Sequence, residues 1–105
     1  MITRIVKLTF TPERLPDFLY EFEQVKNRVV NSEGCVTMKL LQHQSNPCEF
    51  FTYSIWVDEN ALENYRCSET FIQLWGTIKP WFASKAEAWT LDTRFEGVNE
   101  HVKKN

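Results

Sequence analysis

The side chains that could carry chemistry in this sequence of 105 residues are phenols, indoles and one internal imidazole. Tyr65 offers a phenol that can donate a hydrogen bond to a substrate oxygen. Tyr53 stands within a strand-like run, on the side that we expect to face the helices, where its hydroxyl needs a partner or a ligand. His43 is the only histidine inside the predicted fold, which makes it a candidate general base. The structural alternatives are a satisfied or water-facing tyrosine and a surface histidine at a hairpin end.

Aromatic side chains recur at helical spacing, which is typical either of a core or of a pocket for a flat ligand. Trp75 shares such a stripe with Phe71. Core packing is the commoner role of aromatic residues at this spacing, and the pocket wall is the functional alternative. Our candidate catalytic groups are Tyr65 and His43, and our candidate substrate-binding groups are Tyr53, Phe22, Phe71, Trp75 and Trp81.

Metal and cysteine chemistry have no matching pattern in the sequence. No cluster of His, Cys, Asp and Glu has the spacing of a metal site, and we expect no cofactor. The cysteines Cys35, Cys48 and Cys67 are odd in number and unmatched in spacing. This pattern, without a secretory signal at the N-terminus, predicts reduced thiols in a cytoplasmic protein.

Length and charge narrow the class of protein. The chain has the length of one domain, with a core that is adequate but thin, so it gains from oligomerisation. A net charge of -2 argues against nucleic acid as a partner, because phosphate binding needs clustered Lys and Arg. No run approaches the roughly 18 apolar residues of a membrane span, so we expect no membrane insertion.

The elements that must position the candidate groups follow from hydrophobic periodicity. Residues 2–10 alternate between apolar and polar types and predict a strand. Thr11 and Pro12 are typical of a helix entry, with a hydroxyl cap and proline in the first turn. Apolar residues at steps of three and four then predict an amphipathic helix of about five turns. Gly34 is the natural left-handed stop after it.

The second half of the sequence predicts a hairpin, a broken helix and a last strand. Residues 35–44 and 49–57 are strand-like and are separated by turn residues. Asp58 caps a short helical piece, and Ser68 begins a longer one. Residues 85–94 alternate again. We therefore predict one domain over residues 1–94 and a polar C-terminal tail over residues 95–105.

The order β-α-β-β-α-β predicts an α+β, ferredoxin-like fold, with a four-stranded antiparallel sheet and both helices on one face. The other face would be bare, and we expect it to include Ile5, Phe50 and Trp56. Such a face is too apolar to leave in water. We expect a homodimer through this open face, since two-fold pairing covers both sheets at once. The alternative is an unknown chain that covers the sheet.

From residue 31 to residue 71 the sequence resembles the antibiotic biosynthesis monooxygenase-like family of dimeric α+β barrel proteins. The resemblance extends in element order over roughly residues 1 to 92, the usual size of a family domain. It is carried by Glu33-Gly34-Cys35, Asn46-Pro47, Phe51-Thr52-Tyr53-Ser54-Ile55-Trp56, Ala61-Leu62-Glu63-Asn64-Tyr65 and Ser68-Glu69-Thr70-Phe71.

The resemblance implies a closed apolar pocket between the helices and the sheet. Some members of the family oxygenate aromatic polyketides or quinols without metal or flavin. The implied function is therefore a cofactor-independent monooxygenase-like protein acting on a small aromatic or quinol-type molecule, with hydrogen-bond donors and a base supplied by the protein. A small apolar or aromatic ligand is the expected partner. The alternative is a non-catalytic small-molecule-binding module or a structural dimer of the same fold.

The sequence departs from the family at positions that usually carry polar chemistry. Tyr65 and Thr70 stand where many members have histidine, and Ser54 stands where a glutamate often precedes the tryptophan of the third strand. In the haem-degrading branch a ligand histidine matches the position of Trp75. Because an indole is no axial ligand, we do not expect haem chemistry of that kind.

Overall fold

The computed structural model describes residues 1–102 and contains four strands and three α-helices over that range. Residues 103–105 of the predicted tail lie outside the described residues. Short 3-10 turns at Pro12–Arg14 and Lys79–Trp81 precede α1 and follow α3. The elements are β1 (Ile2–Thr9), α1 (Leu15–Val30), β2 (Cys35–Gln42), β3 (Glu49–Trp56), α2 (Glu59–Arg66), α3 (Glu69–Ile78) and β4 (Glu87–Asp92).

The strands form one antiparallel sheet in the order β2-β3-β1-β4. This order and the position of the helices confirm the predicted α+β, ferredoxin-like fold. β1 and β3 are the central strands, so residues at matching positions on them form the middle of the sheet. None of the helices within residues 1–102 is long and apolar enough to cross a membrane.

The helix starts show which local signals the chain uses. The Asp58 carboxylate accepts a hydrogen bond from the Ala61 amide at 2.8 Å, and the Ser68 hydroxyl accepts one from the Phe71 amide at 3.2 Å. Both predicted caps are thereby confirmed. Thr11 makes no such side-chain bond, so the prediction of a hydroxyl cap there is wrong. Proline in the first turn starts that segment as a 3-10 turn instead.

Gly34 joins α1 to β2 in the left-handed conformation that the sequence predicts, with φ of 82°. A Cβ atom here would overlap the Ala61 side chain and lie 3.1 Å from Val57 Cγ2. The Val57 amide also donates to the Gly34 carbonyl at 2.9 Å. Glycine is therefore required both by the backbone angle and by the close approach of α2.

Two buried clusters hold the helices against the sheet. In the larger one, Phe10 stacks on Phe18 with ring centroids 4.1 Å apart, and Phe50 meets Phe18 edge-on at 5.2 Å. The second cluster brings Trp56 under α2 and consists of Ile2, Trp56, Ala61 and Leu62. The helices are thus anchored at both ends of the sheet.

The faces of β3 are the reverse of those predicted. Phe50 and Trp56 are only 2% and 1% exposed and pack beneath the helices, not on the open face. The register explains this, because Phe50 pairs with Leu8 and Trp56 with Ile2, both of which face the helices. Tyr53 consequently lies on the open face, paired with Ile5, which is on that face as predicted.

The open face of the sheet carries apolar and aromatic side chains. Its charged residues form ion pairs at one end of the strands, where Lys7 Nζ lies 3.7 Å from Glu49 and 3.8 Å from Glu87. Lys39 Nζ lies 5.6 Å from the centre of the Tyr53 ring. The apolar part of this face comprises Ile5, Phe51, Tyr53, Ile55, Trp89 and Leu91.

Candidate active site

A cavity of about 300 Å³ lies between the helix-facing side of the sheet and the three α-helices. Most of its lining is apolar, and alternate residues of β1, such as Val6 and Leu8, form part of its floor. Its volume is at the lower end of the range of small-molecule sites. The cavity can therefore hold a ligand of about two fused rings.

One wall of the cavity is a continuous series of aromatic rings. Tyr65 stacks on Trp56 at 5.0 Å and meets Phe71 edge-on at 5.3 Å, and Phe71 stacks on Trp75 at 5.6 Å with an interplanar angle of 16°. Each ring restricts the rotamers of its neighbours, because stacked and edge-on contacts have preferred geometries. The wall is therefore suited to a planar ligand. Phe22 on α1 also lines the cavity.

The phenol of Tyr65 is the most perturbed acidic group of the cavity. Burial raises the pKa of Tyr65 to about 12, and the neighbouring thiol of Cys35 contributes in the same direction. The backbone of Tyr65 is held by the Ser68 hydroxyl, which donates to its carbonyl at 2.6 Å. At neutral pH the phenol keeps its proton, so it can donate a hydrogen bond to a ligand but cannot act as a base.

A polar row crosses the sheet near the α2 end of the cavity. Ser54, Arg4 and Thr90 lie directly opposite one another on β3, β1 and β4. An Arg4 guanidinium nitrogen donates to Thr90 Oγ1 at 2.8 Å, and Trp56 Nε1 donates to Ser54 Oγ at 2.9 Å. The row thus satisfies its own hydroxyls and indole and leaves the other guanidinium donors of Arg4 for a ligand.

Arg66 on α2 brings a second guanidinium to the cavity lining. One of its nitrogens lies 3.2 Å from Glu63. Burial, and then the charge of Arg66, lower the pKa of Arg4 from its ordinary value, while Glu63 acts in the opposite direction. Glu87 also lines the cavity, but its carboxylate lies 3.8 Å from Lys7 on the other face of the sheet. The charged groups available to the cavity are therefore positive.

Sequence reasoning missed Arg4, although a signal for it was present. Arg4 is in phase with Ile2, Val6 and Leu8, the apolar face of β1. A charged residue at a core-facing position is costly unless it has partners, and so it often marks a site. Arg66 gave no such signal, because a basic residue in the last turn of a helix is ordinary.

Four of the predicted site residues converge on the cavity, and they come from three helices. Tyr65 is on α2, Phe71 and Trp75 are on α3, and Phe22 is on α1. These four side chains therefore line one cavity. The other three predicted site residues, Tyr53, His43 and Trp81, are not among those that line the cavity.

The positions of these three residues have clear physical causes. Tyr53 follows the alternation of β3 to the open face, so the expectation that it faces the helices is corrected. His43 lies just beyond β2 and holds the hairpin turn, since its Nδ1 accepts from the Ser45 and Asn46 amides at 3.0 and 3.1 Å. Trp81 packs beside the larger buried cluster, and the Arg14 guanidinium lies 5.6 Å above its ring.

No cysteine is among the described residues that line the cavity. Cys35, Cys48 and Cys67 are all free thiols. Burial raises the pKa of Cys35, which makes its thiol less reactive. Over residues 1–102, no group of three or more His, Cys, Asp and Glu side chains could hold a metal ion.

Comparison with known proteins agrees with this architecture. Residues 1–74 match the antibiotic biosynthesis monooxygenase family, whereas no curated protein matches the sequence at a significant level. Solved structures of similar fold include an antibiotic biosynthesis monooxygenase that is 20% identical, with a TM-score of 0.85 and coverage of 89% of this chain and 98% of that one. A conserved protein from Methanosarcina mazei is also 20% identical, with a TM-score of 0.84 and coverage of 90% and 94%.

A third similar structure is a mutant of SnoaB, a cofactor-independent oxygenase from Streptomyces nogalater. It is 15% identical, with a TM-score of 0.79 and coverage of 90% of this chain and 94% of SnoaB. At these identities the structural likeness establishes the fold alone. Because the family match spans 74 of the 105 residues, the chain belongs to the antibiotic biosynthesis monooxygenase family.

Proposed function

We propose that the protein binds a small, flat aromatic or quinol-type molecule in the cavity and oxygenates it without a bound cofactor. The observation that carries this proposal is the cavity of about 300 Å³ with a stacked aromatic wall and the neutral phenol of Tyr65 at its α2 end. Family membership supports it, as does the likeness to SnoaB, a cofactor-independent oxygenase. Phe22, Phe71 and Trp75 would hold the ring system, and Tyr65 would donate to a ligand oxygen.

The proposed reaction uses the substrate as the reductant of dioxygen. A carbon next to the aromatic system loses a proton, and the resulting carbanion passes electrons to O₂ and combines with it. Loss of water then converts the CH₂ group into a carbonyl, so that one oxygen atom enters the product and the other leaves as water. The protein would contribute a hydrogen bond from Tyr65 to the developing oxyanion and a site that excludes water.

The lining favours a second candidate function, a binding module without turnover. Among the described residues, the cavity lining contains no imidazole, and its one carboxylate, Glu87, is engaged by Lys7. The position of His43 in the hairpin turn and the raised pKa of Tyr65 argue against either residue as the base. Oxygenation here therefore requires a substrate acidic enough to lose its proton before it is enclosed in the cavity.

Oxygen uptake separates the two candidates. The assay offers anthrones and hydroquinones to the protein with a metal chelator present and compares Tyr65→Phe with the control Tyr20→Phe, an exposed tyrosine on α1. We expect uptake above buffer that falls about 100-fold in Tyr65→Phe and is unchanged in Tyr20→Phe, because one oxyanion donor contributes about that much. Measurable binding without uptake would instead identify a binding module.

We propose in addition that two copies pair through the open face of the sheet, whose apolar and aromatic side chains support such an interface. Ile55→Asp places a charge in the middle of this face, and Ile72→Asp is the matched control on the outer side of α3, where Ile72 is 59% exposed. Light scattering should give twice the chain mass of 12.5 kDa for the wild type and the control, and the chain mass for Ile55→Asp. A monomeric wild type at micromolar concentration would exclude the dimer.

We propose a cytoplasmic location, which the three free thiols support. Thiol labelling of the protein in intact cells, quenched with acid, should modify all three cysteines. Oxidised cysteines in that experiment would contradict the proposal.

A further inference from the structure

We propose that the ligand of this cavity is an aromatic anion, whose negative oxygen lies between the guanidinium groups of Arg4 and Arg66. This inference rests on the proposed binding of a flat aromatic molecule, and it adds the charge of that molecule. Both arginines are among the residues that line the cavity, as is Tyr65.

Arg4 is placed as a ligand-binding residue would be. It projects from a central strand on the side facing the helices, in the same row as the hydroxyls of Ser54 and Thr90. Its side chain donates to the neutral hydroxyl of Thr90, and no described carboxylate lies within 4.0 Å of it. Burial lowers the pKa of Arg4, so the partial removal of its guanidinium from water is unfavourable, and an anionic ligand would offset that cost.

Arg66 approaches the same region from the helical side. Its ion pair with Glu63 is exposed and uses one guanidinium nitrogen, so further donors remain for a ligand. Burial and then the charge of Arg66 lower the pKa of Arg4, so the two guanidinium groups lie close enough to repel each other. An oxyanion between them turns this repulsion into attraction and matches the planar donor geometry of arginine.

The rest of the lining agrees with a flat anion. The carboxylate of Glu87 is held by Lys7, so it does not oppose a negative ligand. The stacked rings of Phe71 and Trp75 offer a planar apolar surface beside the basic end. The cavity therefore combines an aromatic slot with a positive end, which is the complement of an aromatic carboxylate or phenolate.

Naphthoate and naphthamide provide a direct test, because they have the same rings and nearly the same size but differ by one charge. Calorimetric titration of the purified protein should show that naphthoate binds at least about tenfold more tightly than naphthamide, as expected for hydrogen bonds to a charged group. In Arg4→Met this preference should disappear while naphthamide affinity stays within about twofold. Arg14→Met is the matched control, because Arg14 packs over Trp81 outside the cavity.

The outcomes separate this inference from the proposed function. Equal affinity of the wild type for the two compounds would overturn the anion preference and leave the aromatic pocket standing. Failure of both compounds to bind would overturn both proposals. If Arg4→Met does not fold, the ratio of the naphthoate and naphthamide affinities in the wild type still tests the anion preference. Arg66→Gln, at an exposed position, then provides a second variant in which that ratio can be measured.

Discussion

Of the glycine-to-alanine replacements in this chain, Gly34→Ala should destabilise the protein most. Gly34 has φ of 82°, and an added Cβ would overlap the Ala61 side chain and lie 3.1 Å from Val57 Cγ2. Ala61 is in the first turn of α2, so the substitution pushes on the helix that carries Tyr65. The variant therefore tests both the fold and the placement of the cavity wall.

The expected cost has two parts. A left-handed backbone angle costs an alanine about 1–2 kcal/mol, and a methyl group forced into packed atoms costs about 1–3 kcal/mol. Their sum, about 2–5 kcal/mol, is a large share of the stability of a small domain, which is about 5–15 kcal/mol. Gly34→Ala should still fold, with α2 displaced and ligand binding weakened.

Gly76→Ala is the matched control. Gly76 lies inside α3 with a negative φ, and an added Cβ there meets no atom within 4 Å. Alanine in a helix interior is about 0.5–1 kcal/mol more favourable than glycine, so this variant should be more stable than the wild type.

Urea unfolding followed by tryptophan fluorescence measures both variants on one scale. The midpoint of Gly34→Ala should fall and that of Gly76→Ala should rise, with similar m-values. An unchanged or raised midpoint for Gly34→Ala would refute the close approach of α2 to this turn. Lowered midpoints for both would mean that added methyl groups are harmful in general, and the specific argument would fail.

Three further predictions concern single groups around the cavity. Burial raises the pKa of Tyr65 to about 12, so the neutral phenol contributes its full stabilisation below pH 10, and this contribution is lost as the pH rises through 12. Over that pH range the free energy of unfolding of the wild type should fall relative to that of Tyr65→Phe by about 2–3 kcal/mol. Urea titrations of both proteins at each pH measure this difference. Ser54→Ala leaves the buried indole N–H of Trp56 without its acceptor and should cost about 1–3 kcal/mol of unfolding free energy, whereas a cost near zero would show that the indole finds another partner. Asp58→Ala removes the cap of α2 and should cost about 1 kcal/mol by the same measurement, with Asp58→Asn close to wild type; equal losses in the two variants would argue against the cap.

Local signals in the sequence were enough to predict the order of the elements. Gly34 ends α1 because a left-handed turn favours glycine, and Asp58 and Ser68 start helices because their side chains accept from nearby backbone amides. Each of these interactions spans three residues or fewer, so its partners are visible in the sequence itself. The hairpin and the alternation of β1 are equally local, and together these signals predicted the ferredoxin-like fold.

The faces of β3 were not predictable in this way. Phe50 and Phe51 alternate as two apolar sets, so periodicity alone shows that both faces are covered but not which one meets the helices. The pairing of Phe50 with Leu8 on β1 determines which face of β3 meets the helices. A shift of the strand pairing by one residue would exchange the two faces of β3. For this reason the prediction assigned Tyr53 to the site, although its side chain lies on the open face.

The sequence by itself determined the fold, the family and the aromatic character of the site. Only the tertiary structure decided which polar groups the site contains. Arg4 and Arg66 are far apart in the chain and line the same cavity because Ala61 and Leu62 of α2 pack in one cluster with Ile2 of β1. His43 instead holds a hairpin turn and does not line the cavity. Spacing along a chain predicts contacts within an element, but convergence between elements depends on register and packing, which no single segment encodes.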